Sequence, residues 1–509
     1  MVGAGPGDPE LISVKGLNCI KEADVVVYDR LASSRLLEMV KLDAEVMYVG
    51  KKAAEHKLEQ DQINQLLVDK AREGKMVARL KGGDPFIFGR GGEEAMVLVE
   101  NNIPFEIIPG ISSAYSVPAY AGIPVTYRGV TSTVAFITGH EDPTKDETGI
   151  DWERISTGAG TLVFLMGVHN LAKIVHQLLK YGRSEATPIA LIRWGTLPRQ
   201  EILAGTLADI VEKVEKENFK PPAIIIVGDV IKLRDKLKWF ETKPLFGKRV
   251  LVTRSRSQAS DLVDLLEKNG AEPIEFPTIK IVPPDSFGRL DSAITNLESY
   301  DWVIFTSVNG VDYFFERLKA SGKDLRELKG VRIAAVGPAT AKRLESLNLL
   351  VDYVPDEYRG EAVIEGFKKF GVSGLKILIP RAEVAREILP DQLREMGANV
   401  DVAIAYKTVT DDSRIDEIES LLVKGNVDIV TFTSSSTVKN FVKPLKDLDL
   451  GKLLEKVAIA CIGPVTAETA RNLGLKVDIE ATEYTIPGLV DAISRAVTSP
   501  RSWQPETGG

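Results

Sequence analysis

Over residues 1–243, short β-branched and apolar runs alternate with stretches whose apolar positions recur at helical spacing. Asp24–Tyr28, Met76–Leu80, Phe105–Ile108, Leu162–Met166, Ile189–Ile192 and Ala223–Val227 read as buried strands. Glu59–Glu73 and Val168–Tyr181 read as helices between them. The alternation predicts an α/β fold with largely parallel sheets. A Gly/Pro break at Ile123–Thr131 and a polar stretch at Glu141–Gly149 divide this half into lobes of 1–125 and 126–243. Residues 244–247 read as a linker before a new strand, Arg249–Thr253.

From 248 to 497 the pattern repeats itself. Arg254 and Arg381 are 127 positions apart, as are Gly270 and Gly397. "VIFTSVNGVDYFF" at 303–315 answers "VTFTSSSTVKNFV" at 430–442, and "AAVGPATAKRLESLNL" answers "ACIGPVTAETARNLGL" 126 positions later. Each unit reads strand–helix–strand, strand–TS loop–helix, strand–GPxTA–helix. Two similar α/β lobes with parallel sheets follow, with ligands expected in a cleft lined by strand-end loops.

Composition narrows the partners. At 44% hydrophobic and 27% charged, the chain can fill several cores and remain soluble. The net charge is −8, and acidic side chains outnumber basic ones on both sides of residue 246, which argues against nucleic acid. The longest apolar run is about six residues against the ~20 of a membrane span, so no membrane partner is expected. Two cysteines, Cys19 and Cys461, make no disulfide framework and fit a reducing cytoplasm. The four histidines have no metal-ligand spacing, so no metal is expected. No leader is expected, since a Gly-rich loop follows Met1-Val2 directly and leaves the first strand short. Residues 498–509 read as a loose tail.

Chemical signal in the first half lies in three loops. Gly3 to Pro9 is a GxGxGD turn, distinct from the dinucleotide GxGxxG although Asp24 or Asp29 could pose as its acid. Arg79 to Glu94, "RLKGGDPFIFGRGGEE", holds more glycines than a plain strand-to-helix turn needs. Pro109 to Ala114, "PGISSA", offers Ser112 as a helix cap.

Together with "VVVYDRLAS" and "AGIPVTYRG", these motifs resemble the uroporphyrinogen-III C-methyltransferase family from residue 2 to about 240. The resemblance implies a two-lobed tetrapyrrole-methylase fold with S-adenosyl-L-methionine between the lobes, and a homodimer. It assigns contacts to that cofactor to Pro6, Gly82, Gly83, Asp84, Ile87, Ser112, Ser113, Met166, Gly195 and Ala223. It makes Asp29 a proton acceptor and Lys51 a proton donor. A carboxylate beside the ring suits this chemistry, because methylating a pyrrole carbon builds positive charge that loss of an N–H proton relieves. The substrate carries eight carboxylates, so Arg30, Lys52, Arg79, Lys81, Arg90 and Arg128 are candidate partners.

The second half shows no nucleophile triad, metal cluster or phosphate loop, which leaves a cofactor-free enzyme or a binding module. Its TS loops, with Thr306-Ser307 and Thr433-Ser434-Ser435, suit carboxylate ligands, and Arg254, Arg256, Lys376, Arg381 and Arg386 add charge. The motif order over 248–497 resembles uroporphyrinogen-III synthase. That resemblance implies ring closure of hydroxymethylbilane, with Tyr406 and Thr466 as catalytic candidates. It also implies discontinuous lobes, 247–282 with 408–497, and 283–407. The combined expectation is synthesis of uroporphyrinogen III followed by methylation at C2 and C7 to precorrin-2, for sirohaem or cobalamin. The alternative is a different corrin-pathway C-methyltransferase fused to a non-catalytic tetrapyrrole-binding module.

Overall fold

The computed structural model describes residues 1–41, 43–50, 60–140, 149–254, 256–355, 360–385, 387–411, 414–445 and 448–499. Four sheets organise them. The first, in the order Val2–Gly3, Val77–Lys81, Val25–Tyr28, Glu45–Tyr48, is wholly parallel. Every strand therefore delivers its following loop to one edge.

The second sheet runs Val134–Thr138, Thr161–Leu165, Ala223–Val227, Pro188–Arg193, Glu201–Thr206. Only its first pair is parallel. This departs from the largely parallel reading. The turn between Pro188–Arg193 and Glu201–Thr206 is too short for a crossover, so the two strands must pair antiparallel. The expected strand Phe105–Ile108 is likewise absent as a ladder. Pro104 and Pro109 flank it, and its neighbour Val2–Gly3 is only two residues long, so a single bridge forms between Val2 and Ile108. The helix Ser113–Tyr120 packs Ala114 and Val117 against Val163, Ile192 and Ile224 of the second sheet.

The third sheet runs Glu272–Glu275, Arg249–Val252, Ile429–Phe432, Ala458–Cys461, Ile479–Glu480, all parallel. The fourth runs Ile279–Val282, Asn399–Thr410, Lys376–Ala382, Trp302–Phe305, Arg332–Ala335, antiparallel only at its outer pair. The repeated units exchange parts. Arg249–Val252 of the first unit lies beside Ile429–Phe432 of the second, and Lys376–Ala382 of the second lies beside Trp302–Phe305 of the first. The chain crosses between the sheets where Asp411 N donates to Thr278 O at 3.2 Å.

One local device recurs at the strand starts. Asp428 accepts from Arg249 N at 2.7 Å, and Asp301 accepts from Lys376 N at 2.8 Å, the equivalent pair 127 positions away. Asp478 and Asp352 do the same for Ile459 N and Ile333 N. Asp24 does it for Met76 N in the first sheet. Each carboxylate satisfies an N–H that the ladder leaves over.

Candidate active sites at the strand ends

In the first half three loops meet at the carboxyl edge of the first sheet. Gly83 N donates to Gly5 O at 2.7 Å and Gly110 N to Asp84 Oδ2 at 2.9 Å. The backbones approach so closely that a Cβ on Gly110 would stand 2.2 Å from Gly83 O, a position no side chain can occupy. The other Asp84 oxygen accepts from Phe86 N at 2.8 Å. Asp84 therefore ties the second loop to the third before it meets any ligand. Ser112 is buried and caps its helix by accepting from Ala114 N at 3.2 Å, with Ser113 as the helix's first residue. Gly83 has φ +68°, and a Cβ there would stand 3.7 Å from Ser113 N, so the space before that helix start is lined by backbone. Ile87 is half-buried beside it in the chain.

The second sheet brings its own candidates to one end. Met166 follows Thr161–Leu165, and Ala223 pairs with Arg193 just before Gly195. Gly195 lies against Val117 of the helix Ser113–Tyr120. The loops of the two sheets join there, since Asp8 N donates to Thr196 Oγ1 at 3.1 Å and Tyr120 OH donates to Asp8 Oδ2 at 3.0 Å. Pro6 sits in this joined first loop. Burial and the nearby Asp8 charge push the Tyr120 phenol well above its ordinary range, so it acts as a donor.

Backbone strain marks the same places. Apart from asparagines, the described residues with positive φ outside glycine are Phe88, Arg90, Met166, Trp194 and Thr196. All five lie in or beside these loops. Such conformations cost about 1–3 kcal/mol each and cluster at ligand sites.

The cationic candidates separate. Arg30 and Arg128 are exposed, and Arg90 is exposed with its guanidinium doubly bonded to Glu93. Lys51 and Lys52 lie outside the described residues. Arg79 and Lys81, expected to face substrate carboxylates, are each only 5% exposed. They are corrected to interior partners of Glu94 and Asp29. Lys81 Nζ donates to Glu94 Oε1 at 2.6 Å, and Arg79 Nη2 lies 3.4 Å from Asp29 Oδ2. Burial, then the adjacent Arg79 charge, holds the Lys81 ammonium below the ordinary lysine range. The reason is position: their strand is interior to the sheet and buried on both faces from Ala78 to Lys81, and Arg79 and Lys81, two apart, share one face. Asp29 follows Val25–Tyr28 and also accepts from Leu31 N at 3.0 Å.

In the second half, Tyr406 OH and Ser307 Oγ lie 3.0 Å apart, and the Tyr406 ring stacks on Tyr313 at 5.9 Å. Tyr406 is buried, and Ser307 also caps Val308–Ala320 by accepting from Gly310 N. On the third sheet, Ser434 caps Ser435–Val442 in a reciprocal box with Thr437. Ser435 accepts from Thr469 Oγ1 at 2.8 Å and donates to Val465 O. Thr466 is buried near the start of Pro464–Asn472, as its repeat counterpart Thr340 is. Arg254 follows its strand to the same edge, where burial lowers its pKa.

Two further charges are corrected. Arg381 is 6% exposed, and its guanidinium is already ion-paired with Glu387. Lys376 stands at the start of its strand, the opposite end from Ser307, with its ammonium over the Tyr300 ring. The side chain of Arg256, and Arg386, lie outside the described residues. Glu94 and Tyr313 are the functional neighbours that periodicity misses, because each reads as an ordinary helix residue.

A family model described as tetrapyrrole (corrin/porphyrin) methylases matches residues 1–211, and one described as uroporphyrinogen-III synthase HemD matches residues 260–491. The chain is 39% identical over 493 residues to the porphyrin biosynthesis protein HemD of Ruminiclostridium josui, covering 97% of each chain. It is 55% identical over 236 residues to the uroporphyrinogen-III C-methyltransferase of Methanocaldococcus jannaschii, covering 46% of this chain and 97% of that one. It is 54% identical over 235 residues to the S-adenosyl-L-methionine-dependent uroporphyrinogen III methyltransferase of Methanosarcina barkeri, covering 46% and 92%.

Proposed function

Because the chain belongs to the tetrapyrrole methylase family in its N-terminal half and to the uroporphyrinogen-III synthase family in its C-terminal half, we propose that it performs both reactions in succession. The C-terminal half closes hydroxymethylbilane to uroporphyrinogen III without a cofactor. The N-terminal half methylates that product twice, at C2 and C7, to precorrin-2, for sirohaem or cobalamin. The observation that carries the methyltransferase reading is the meeting of three backbone-lined loops with the second sheet's Met166–Gly195 end.

S-adenosyl-L-methionine supplies an electrophilic methyl group when bound. The backbone of Gly82-Gly83 and the start of the Ser113–Tyr120 helix would hold its amino-acid end, since N–H groups at a helix start receive a carboxylate. Met166, half exposed, and Ile87 offer apolar walls for its adenine, with Pro6, Gly195 and Ala223 around them. Asp29 takes the proton released from the pyrrole ring, and Lys51 returns one. Arg30, Lys52, Arg90 and Arg128 receive substrate carboxylates.

In the synthase half, Tyr406 hydrogen-bonds the departing hydroxyl, with Ser307 orienting its phenol. The Ser434-Ser435 loop, held by Thr469, and Arg254 take up side-chain carboxylates, and Thr466 acts in catalysis beside it. Holding the bilane so that the correct carbon attacks supplies much of the rate. The division is 1–243, 244–247 and 248–497, with lobes 1–125 and 126–243, then 247–282 with 408–497, and 283–407. The protein acts in the cytoplasm as a homodimer through its methyltransferase half.

The test feeds hydroxymethylbilane and S-adenosyl-L-methionine to the purified chain and identifies the tetrapyrrole. Precorrin-2 is expected. Recovery of the type I isomer alone would refute the synthase activity, and unmethylated uroporphyrinogen III, formed or supplied directly, would refute the methyltransferase activity.

A further inference from the structure

We propose that Glu94 is a positioning residue for the Asp29 carboxylate and acts on it through Arg79. The inference rests on reading Asp29 as the proton acceptor in methyl transfer. Glu94 lies in the first turn of the helix Gly91–Glu100, and its side chain is 0% exposed. Its Oε1 accepts from Lys81 Nζ at 2.6 Å and from Gln60 Nε2 at 3.2 Å. Its Oε2 lies 3.5 Å from Arg79 Nε. Neither of those two atoms has a hydrogen-bond partner within ordinary bonding geometry. The other arm of the same guanidinium, Nη2, lies 3.4 Å from Asp29 Oδ2. One guanidinium therefore spans two carboxylates, one sealed in the interior and one at the site's mouth.

Sealing a carboxylate with two cations is a poor way to fill space, since apolar side chains of the same volume do so at lower cost. The arrangement has an electrostatic consequence. With Glu94 ionised, Arg79, Lys81, Glu94 and Asp29 sum to zero. Without that charge, two cations face Asp29 alone, and its carboxylate takes a proton less readily. Of the other ionic groups around Glu94, the Met1 ammonium and Arg90 feel its charge. Arg79 is further held by Leu80 O at 3.1 Å, which keeps its fork from following the substrate.

The experiment is steady-state methylation of uroporphyrinogen III across pH in the full chain. Glu94→Gln keeps the shape and the acceptor for Lys81 but drops the charge. It is expected to lower kcat about tenfold at neutral pH and move the acid limb of the kcat profile to lower pH. The Kd for S-adenosyl-L-methionine stays within about twofold, because the residue lies behind the loops. Glu94→Asp, which keeps the charge, restores the acid limb. Arg79→Lys loses the fork and moves the limb upward. An acid limb unmoved in Glu94→Gln, with only a lowered Tm, overturns the proposal. If Glu94→Gln does not fold, an unmoved limb in Arg79→Lys overturns it. Asp29→Asn separates the two readings: full methylation in that variant refutes the role of Asp29, whereas its loss beside a wild-type profile in Glu94→Gln refutes the Glu94 proposal alone.

Discussion

Tyr406 and Ser307 stand 99 positions apart in the chain and share one hydrogen bond. Tyr406→Phe keeps the ring stacked on Tyr313 and removes only the hydroxyl. It is expected to slow conversion of hydroxymethylbilane to the type III isomer by about 10²-fold while changing stability by about 1 kcal/mol or less, checked by product chromatography and urea unfolding. Gly110 makes the matching case in the first half. Gly110→Ala places a methyl group against Gly83 O, and overpacking of this kind costs about 1–3 kcal/mol. A lowered Tm and loss of S-adenosyl-L-methionine binding by calorimetry are expected together, because the same contact holds the loops in register. Gly110 and Gly83 are legible as unusual in the sequence. That Gly110 clears room for the Gly83 carbonyl is not, since neither residue names its contact.

At the scale of elements, helix starts and strand starts carry the local order. Ser434→Ala removes the cap of Ser435–Val442 and is expected to cost about 1 kcal/mol in urea unfolding. The strand-start aspartates add a pH dependence. The side-chain hydrogen bond from Lys41, then the Met76 N–H, hold the Asp24 carboxyl below the ordinary carboxylate range. A carboxyl depressed in the folded state contributes stability that is complete above its unfolded pKa, near 4, and is lost as pH falls through the folded value. Asp24→Asn is therefore expected to flatten the fall of Tm below about pH 4, and an unchanged slope would count against this clamp. The Asp301 and Asp428 clamps, themselves 127 positions apart, give the internal repeat a physical cause at its strand starts.

For the whole molecule, the two halves predict separable lesions. Asp29→Asn, given hydroxymethylbilane and S-adenosyl-L-methionine, should stop at uroporphyrinogen III. Tyr406→Phe should still methylate uroporphyrinogen III supplied directly. Loss of both activities in either variant would contradict separate sites. The aromatic contact of Phe240 with Phe246 ties the linker to the first half, and the ion pair of Arg35 with Glu267 joins the halves. A stability effect shared across them would be read at this seam.

Sequence alone determined the strand and helix alternation, the internal repeat, the glycine-rich loops and the family resemblance, because each is written in local side-chain chemistry or in the order of motifs. Tertiary structure decided which strands became neighbours. The short turn after Arg193 reversed pairing that α/β alternation alone would make parallel, and the repeats exchanged their strand–helix–strand parts. It also decided which charges are buried and which stay at the surface. Arg79, Lys81 and Arg381 look alike to Arg30 and Arg128 in a sequence, and only burial against Glu94 and Glu387 distinguishes them. Direction along a strand and coverage by a neighbouring helix are properties of packing, and a lone residue type does not encode them.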